Sequence, residues 1–313
     1  MRLLTAFRYP LLLLQVTMVT ILLYGCEERV DLPHTIEEPK LVVSSNFLPD
    51  EFVSVRISST QPTVGEQTET EIFDATVAIL DGDETAEVLQ YVPGPLNTQG
   101  SYRSTAFKPA VGRLYTLMVT SDGFVPVNAE SSIPESIPIT THRISNLEKV
   151  WDGSLNVYNF TLTLDYDDPP FDENFYDLRI SQYVYPYRVN GSGDTTRMDP
   201  LSKVVKSPDE EYFSTAAVGE TSILVRDRPA SEGVVLELQS RFDPRTELLG
   251  ELRAELRTVS RPYFDYQLNI QREGQALPVG LGKPRVNAFG NVQDGIGVFA
   301  GYSRAVRIFR LGN

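Results

Sequence analysis

Between residues 115 and 129 the chain reads Tyr-Thr-Leu-Met-Val-Thr-Ser-Asp-Gly-Phe-Val-Pro-Val-Asn-Ala. Tyr115, Leu117 and Val119 alternate with Thr116, Met118 and Thr120. A period of two puts the first three on one side of a pleated strand and the others on the opposite side. Asp122-Gly123 follows, a pair that accepts the positive φ of a tight hairpin turn, and Val125 to Ala129 resumes the extended pattern. The stretch is a β-hairpin with one buried face, and the rest of the chain is written the same way.

Upstream, Val53, Val55 and Ile57 alternate with Ser54, Arg56 and Ser58, and the run Ala75 to Leu80 ends in Asp81-Gly82. Strands about every ten residues from Leu41 to Ala129, joined by turns, predict an immunoglobulin-like β-sandwich over residues 40–138. The cysteine pair and core tryptophan of antibody domains are missing, so the architecture alone is expected. Ile133-Pro134-Glu135-Ser136-Ile137-Pro138 breaks the alternation and reads as a linker. Beyond it lie Phe160, Leu162 and Leu164, then Tyr176, Leu178 and Ile180. Val234, Leu236 and Leu238, then Leu252, Ala254 and Leu256, complete the pattern of a second mainly-β domain over residues 139–313. One short helix is predicted from a Ser260 cap, through Pro262 in the first turn, to a stop at Gly274, with Tyr263, Tyr266 and Ile270 on one face. The glycine-rich tail, Asn287 to Asn313, returns to a strand through Val306 and Ile308. The expected fold class is all-β.

The first 25 residues have the parts of an export signal: Arg2 and Arg8, an apolar run from Leu11 to Tyr24, and small Gly25 before Cys26. Leu23-Tyr24-Gly25-Cys26 resembles a lipobox, with Tyr24 in place of the usual small residue. Lipidation of Cys26 would place several acyl chains on one residue, each buried methylene contributing about 0.8 kcal/mol to membrane anchoring. Residues 26–39 hold Pro33, Pro39 and the acids Glu27, Glu28, Asp31, Glu37 and Glu38, the composition of a tether. Cys26 is the single cysteine, so no disulfide is available and burial must hold the fold. The formal charge is −14, and loss of Arg2 and Arg8 makes it −16. Such a surface repels nucleic acid and anionic headgroups. An acidic start after the anchor accompanies export to the cell surface in some Gram-negative lipoproteins, so an outer-membrane, surface-exposed location is expected.

These features resemble a lipoprotein family catalogued as domain of unknown function 4249. The likeness is carried by Pro39-Lys40-Leu41-Val42-Val43, Asp74-Ala75-Thr76-Val77, Val111-Gly112 with Leu114 to Leu117, and Ser132-Ile133-Pro134. It continues through Asp168-Pro169-Pro170 with Asn174-Phe175-Tyr176, and ends in Asn291 with the block Asp294 to Tyr302. Phe175 stands where the family more often has tyrosine, and Val292-Gln293 departs from the usual spacing. The resemblance implies an outer-membrane lipoprotein with an immunoglobulin-like first domain, often encoded beside TonB-dependent receptors.

Several residues invite a functional reading. Asp165, Asp167, Asp168, Asp172 and Glu173 put five carboxylates on one loop, the chemistry a structural Ca²⁺ requires, though without the register of a dedicated calcium loop. Tyr183, Tyr185 and Tyr187 lie at strand spacing, so they project from one face as a ligand or partner platform or pack beneath a neighbouring element. His34 and His142 are the two histidines, and neither adjoins a recognisable serine elbow. Zinc is disfavoured because the one cysteine is the lipidation site. Many acids could pair for glycoside hydrolysis, but no spacing selects two. Gly295, Gly297 and Gly301 superficially resemble a phosphate loop without a helix behind them, and read instead as turn and close-packing positions. Without a nucleophile constellation a non-enzymatic accessory or ligand-capture role is expected, and the resemblance implies a TonB-dependent receptor as its partner. A surface hydrolase acting on glycan or peptide is the alternative, and a structural envelope protein a third reading.

Overall fold

The period-two segments form strands because branched and aromatic side chains pack on a pleated surface and each strand leaves one apolar face to bury. A computed structural model of the chain describes residues 38–60, 70–96, 98–169, 173–205, 214–217, 220–226, 233–275 and 290–311. The signal segment, Cys26 and Asp172 lie outside these residues. The fold is all-β with one helix among the described residues.

The first half comprises β1 (Leu41–Phe47), β2 (Ser54–Ser59), β3 (Thr70–Glu71), β4 (Thr76–Asp81), β5 (Glu84–Val88), β6 (Gln90–Val92), β7 (Ser101–Arg103), β8 (Leu114–Thr120) and β9 (Val127–Ser132). One sheet runs β5-β4-β8-β9, and β1-β2-β7-β6 belongs to another. Val43, Phe47, Val55 and Ile57 from the second interleave with Val77, Ile79, Tyr115, Leu117 and Val119 from the first. Each such burial contributes about 1.5–3 kcal/mol. The hairpin glycines Gly82 and Gly123 take φ of 65° and 82°, as the Asp-Gly turns require.

The second half comprises β10 (Ile139–Trp151), β11 (Asn156–Tyr166), β12 (Phe175–Val189), β13 (Thr195–Arg197), β14 (Leu201–Val204), β15 (Ser214–Ala217), β16 (Glu220–Arg226), β17 (Val234–Phe242), β18 (Glu247–Val259), α1 (Arg261–Gln275) and β19 (Ile296–Phe309). It is also a sandwich. Sheet β10-β11-β17 packs through Phe160, Leu162, Leu164, Val234 and Leu236 onto Tyr176, Leu178, Ile180, Leu252 and Leu256 of β12 and β18.

The last strand crosses the division drawn at residue 138. From Ile296 to Gly301 it pairs parallel with β1, and from Tyr302 to Phe309 it pairs antiparallel with β18. Phe299 enters the first core and stacks on Phe47 at 4.4 Å between ring centroids. This arrangement accounts for the glycines in the terminal block. Gly297 has φ 106°, and a Cβ there would overlap the backbone of Val43 in the neighbouring strand. The side chain of Asn291 donates to the carbonyls of Glu130 and Phe299 at 2.8 Å each and accepts from the Phe299 amide at 3.0 Å, tying β9 to β19.

Ser260 takes the position just before α1: its carbonyl accepts from the Phe264 amide at 3.1 Å, its own amide donates to Gly301 at 2.9 Å, and its hydroxyl accepts from Ser131 at 3.1 Å. The helix passes the expected stop at Gly274 by one residue, a shift within the ordinary fraying of helix ends. Among its described side chains Tyr263 and Phe264 are buried, whereas Ile270, expected on the same face as Tyr263, is 42% exposed. The sheet beneath therefore holds the helix mainly by its first turn.

Candidate functional site

While Tyr176, Leu178 and Ile180 of β12 and Leu252, Ala254 and Leu256 of β18 fill the core, the residues between them take the opposite face. There Asp177 and Arg179 meet Arg253, Glu255 and Arg257. The register sets Asp177 opposite Arg257 and Arg179 opposite Glu255, so unlike charges face each other across the strands. Arg179 Nε reaches Asp177 Oδ2 at 2.9 Å, and Arg257 Nε reaches Glu255 Oε1 at 2.6 Å. Arg253 pairs with the second oxygen of Glu255, and Ser222 of β16 donates to Asp177.

Helix α1 closes this ladder. The Tyr263 hydroxyl donates to Asp177 Oδ2 at 2.7 Å and accepts from Arg179 at 3.0 Å and Arg257 at 3.3 Å. Asp177 is wholly buried and Glu255 nearly so. Burial, then the adjacent Asp177 carboxylate, pushes the Tyr263 phenol well above its ordinary pKa. Burial would lower the Arg257 pKa, but the Tyr263 and Glu255 oxygens outweigh it and the guanidinium is held more firmly charged. Arg257 also lies over the Tyr302 ring, 4.8 Å from its centroid. These groups engage one another, and the network they form seats the helix.

Farther along β12 the same face carries Tyr183, Tyr185 and Tyr187, all half-buried. A bulge in β18 opposes them, where Gly250 and Glu251, between Leu249 and Leu252, face Tyr183 alone, between Gln182 and Val184. The buried Gln182 amide nitrogen holds the bulge by reaching the carbonyls of Tyr183, Gly250 and Glu251, each at 3.0 Å. Gly250 lets the Tyr185 ring lie against the β18 backbone, since a Cβ there would come within 2.7 Å of the ring. The Tyr185 hydroxyl donates to Glu251 at 2.8 Å, and the Arg197 guanidinium stacks 3.2 Å from the ring centroid. The Tyr187 hydroxyl donates to the Pro244 carbonyl at 2.8 Å. The bond to Glu251 raises the Tyr185 pKa; bonds from Arg310 and Tyr185 draw Glu251 down to about 2. Beside this row an open depression of about 440 Å³ is lined by Pro186, Arg197, Met198, Asp199 and Leu201. An aromatic row with a stacked guanidinium can hold a ligand or partner by stacking and hydrogen bonds, and Arg197 is the residue it shares with the lining of the depression.

Of the carboxylates expected to share a loop, the described ones face different partners or solvent. Asp165 accepts from Thr141 at the β10 edge, Asp168 turns inward to Tyr176 and Asn174, Glu173 pairs with Arg226, and Asp167 is exposed. Among the described residues no three acidic, histidine or cysteine side chains gather as a metal site, and Asp172 lies outside the described residues. The His142 ring stacks on Phe309 at 4.6 Å.

The charge ladder was the feature hardest to see in the sequence. Its signal is the alternation of Asp177 with Arg179, and of Arg253, Glu255 and Arg257, between apolar residues on two strands followed by a helix. Charges at period two ordinarily indicate a solvated face, and only a covering helix turns them inward.

No curated protein matches the chain. Among solved structures it is similar to the three N-terminal domains of the highly immunogenic outer capsid protein of bacteriophage RB49, at 14% identity and a TM-score of 0.20. That similarity covers 71% of this chain and 64% of the phage chain, so the chain spans less than two thirds of that structure. The family described as domain of unknown function DUF4249 matches residues 27–308, and the chain belongs to this family.

Proposed function

We propose that the protein is a lipoprotein of the outer membrane, anchored through acylated Cys26, that serves as a non-enzymatic accessory of a TonB-dependent receptor and captures a ligand or partner at the cell surface. The observation that supports this reading best is the Tyr183–Tyr185–Tyr187 row, held on a rigid strand with Arg197 stacked on Tyr185 beside an open depression. Rigid tyrosines supply contact area at small entropic cost, and a stacked guanidinium adds a cation ready for acceptors on the bound molecule. Such a surface recognises its target without requiring a nucleophile or base.

The test is a pull-down from detergent-solubilised membranes with the wild-type chain, Cys26→Ser and Tyr185→Ala. A stoichiometric β-barrel receptor should co-purify with the wild type. Cys26→Ser should leave the membrane fraction, and Tyr185→Ala should remain anchored but retain less of the bound species. Absence of a receptor together with turnover of a glycan or peptide library would replace this reading with a surface hydrolase.

A further inference from the structure

In the sheet β10-β11-β17, strand β17 is an outer strand, and no described strand pairs with its free side. Backbone amides and carbonyls along such a side can template another strand. The other outer strands are blunted. β10 carries two register shifts against β11, β5 and β15 carry one each against their neighbours, and β6 is three residues long. β9 is tied down by Asn291 and by the bridge from Asn128 to Gln293. β17 differs from all of these: it has nine residues, no proline, and an unbroken register against β11 from Val234 with Leu164 to Phe242 with Asn156.

Burial alternates along it. Val234, Leu236, Leu238, Ser240 and Phe242 turn inward, and Val235, Glu237, Gln239 and Arg241 turn outward. Outward charges ordinarily keep a free edge from pairing. Here their order favours one occupant. A second copy lying antiparallel across a two-fold axis at Gln239 sets Glu237 opposite Arg241 of that copy, and Arg241 opposite its Glu237. On the inward side Leu236 faces Phe242 and Leu238 faces Ser240, so no charge is buried where the cores meet. An axis at Leu238 would overlap all nine residues but leave Glu237 opposite Gln239, and an axis at Ser240 would set Glu237 against Asp243. Within its own chain Glu237 makes no ion pair among the described residues. Arg241 Nε donates to Gln239 Oε1 at 2.7 Å, and Gln239 donates to Asn159 at 2.8 Å, which holds the guanidinium towards the axis position.

We propose that β17 is the surface through which two copies of this chain associate, joining their sheets edge to edge with a Glu237–Arg241 pair on either side of the axis. β17 and the tyrosine row on β12 lie in different sheets, so the inference stands apart from the proposed roles of that row and of Cys26.

Sedimentation velocity of the full chain in detergent, at micromolar concentration, should show a dimer. Because the axis repeats each contact, Glu237→Arg alone sets like charges against each other at both pairs, as does Arg241→Glu. Each should weaken dimerisation about tenfold or more, with far-ultraviolet circular dichroism unchanged. The double variant Glu237→Arg/Arg241→Glu re-forms both pairs in reversed order and should restore the dimer. In a Cys26→Ser chain, Gln239→Cys should oxidise to a disulfide-linked dimer, whereas Val235→Cys, about 26 Å from its counterpart in this register, should not. A photo-crosslinking amino acid at position 239 in cells should capture a second copy. A monomeric wild type, a dimer indifferent to the single reversals or a double variant that stays monomeric would each overturn the assignment. So would failure of Gln239→Cys to cross-link, a disulfide at 235 as ready as at 239, or capture of a different protein at position 239.

Discussion

Removing the Asp177 carboxylate should be among the costliest single changes in the second sandwich. Asp177 is 0% exposed and accepts from Arg179, Ser222 and Tyr263. Asp177→Ala strips the acceptor from all three and leaves the ladder with Glu255 as its one carboxylate among three guanidiniums. Breaking a buried pair in this way costs about 3–5 kcal/mol. Tyr263→Phe keeps the ring and loses only the hydroxyl bridge, a loss of about 1–3 kcal/mol. Since both act on one network, the double variant should cost less than the sum, with a coupling of about 0.5–3 kcal/mol. Guanidinium unfolding followed by circular dichroism and by Trp151 emission measures these values, and coincidence of the two probes licenses a two-state treatment. A loss below about 1 kcal/mol for Asp177→Ala, or strict additivity with Tyr263→Phe, would mean that water and not the helix satisfies the ladder.

Three further outcomes follow from local geometry. Glu87 accepts from the amides of Thr105, Ala106 and Phe107; burial raises its pKa, but these bonds outweigh it and bring it down to about 2. A pKa lower in the folded than in the unfolded chain adds stability that is present above about pH 4.5 and is lost as pH falls towards 2. Glu87→Gln should therefore lower stability at neutral pH by about 1–2 kcal/mol and flatten the acid limb of the melting curve. Gly297→Ala forces a side chain into a φ of 106° against the Val43 backbone and should cost about 2–4 kcal/mol by denaturant unfolding. Glu251→Gln removes the charge that raises the Tyr185 phenol, and a carbon-13 tyrosine NMR titration should show Tyr185 ionising at lower pH than in the wild type.

The all-β class was legible because burial on one face writes a period of two into Val53–Ile57, Tyr115–Val119 and Tyr176–Ile180, and because Asp-Gly turns punctuate it. The helix start was legible from Ser260 and Pro262, although the Ser260 hydroxyl bonds Ser131. The double use of β19 was not, because periodicity says which face a strand buries but not which strand lies beside it. The spread of the Asp165–Glu173 acids was hidden for a related reason: sequence proximity does not tell which carboxylates turn inward, as Asp168 does towards Tyr176. Tyr183, Tyr185 and Tyr187 were correctly expected on one face, but Arg197, Glu251 and Gly250, which set the Tyr185 ring in place, come from segments far away in the chain.

Because β19 completes the sheet begun by β1, the amino-terminal sandwich cannot finish assembling until the final strand arrives. The pairing Val42 with Ile296 closes a loop of more than 250 residues, and so places a large entropic barrier late in folding. A chain made amino terminus first would hold an incomplete sheet, with the β1 edge open, until residues 296–301 were made. Deletion of residues 290–313 should accordingly unravel the first half of the molecule as well as the second, seen as protease sensitivity within Leu41–Ser132. The strand at Ile296–Gly301 thus acts as the clasp for the strand at Val42–Phe47.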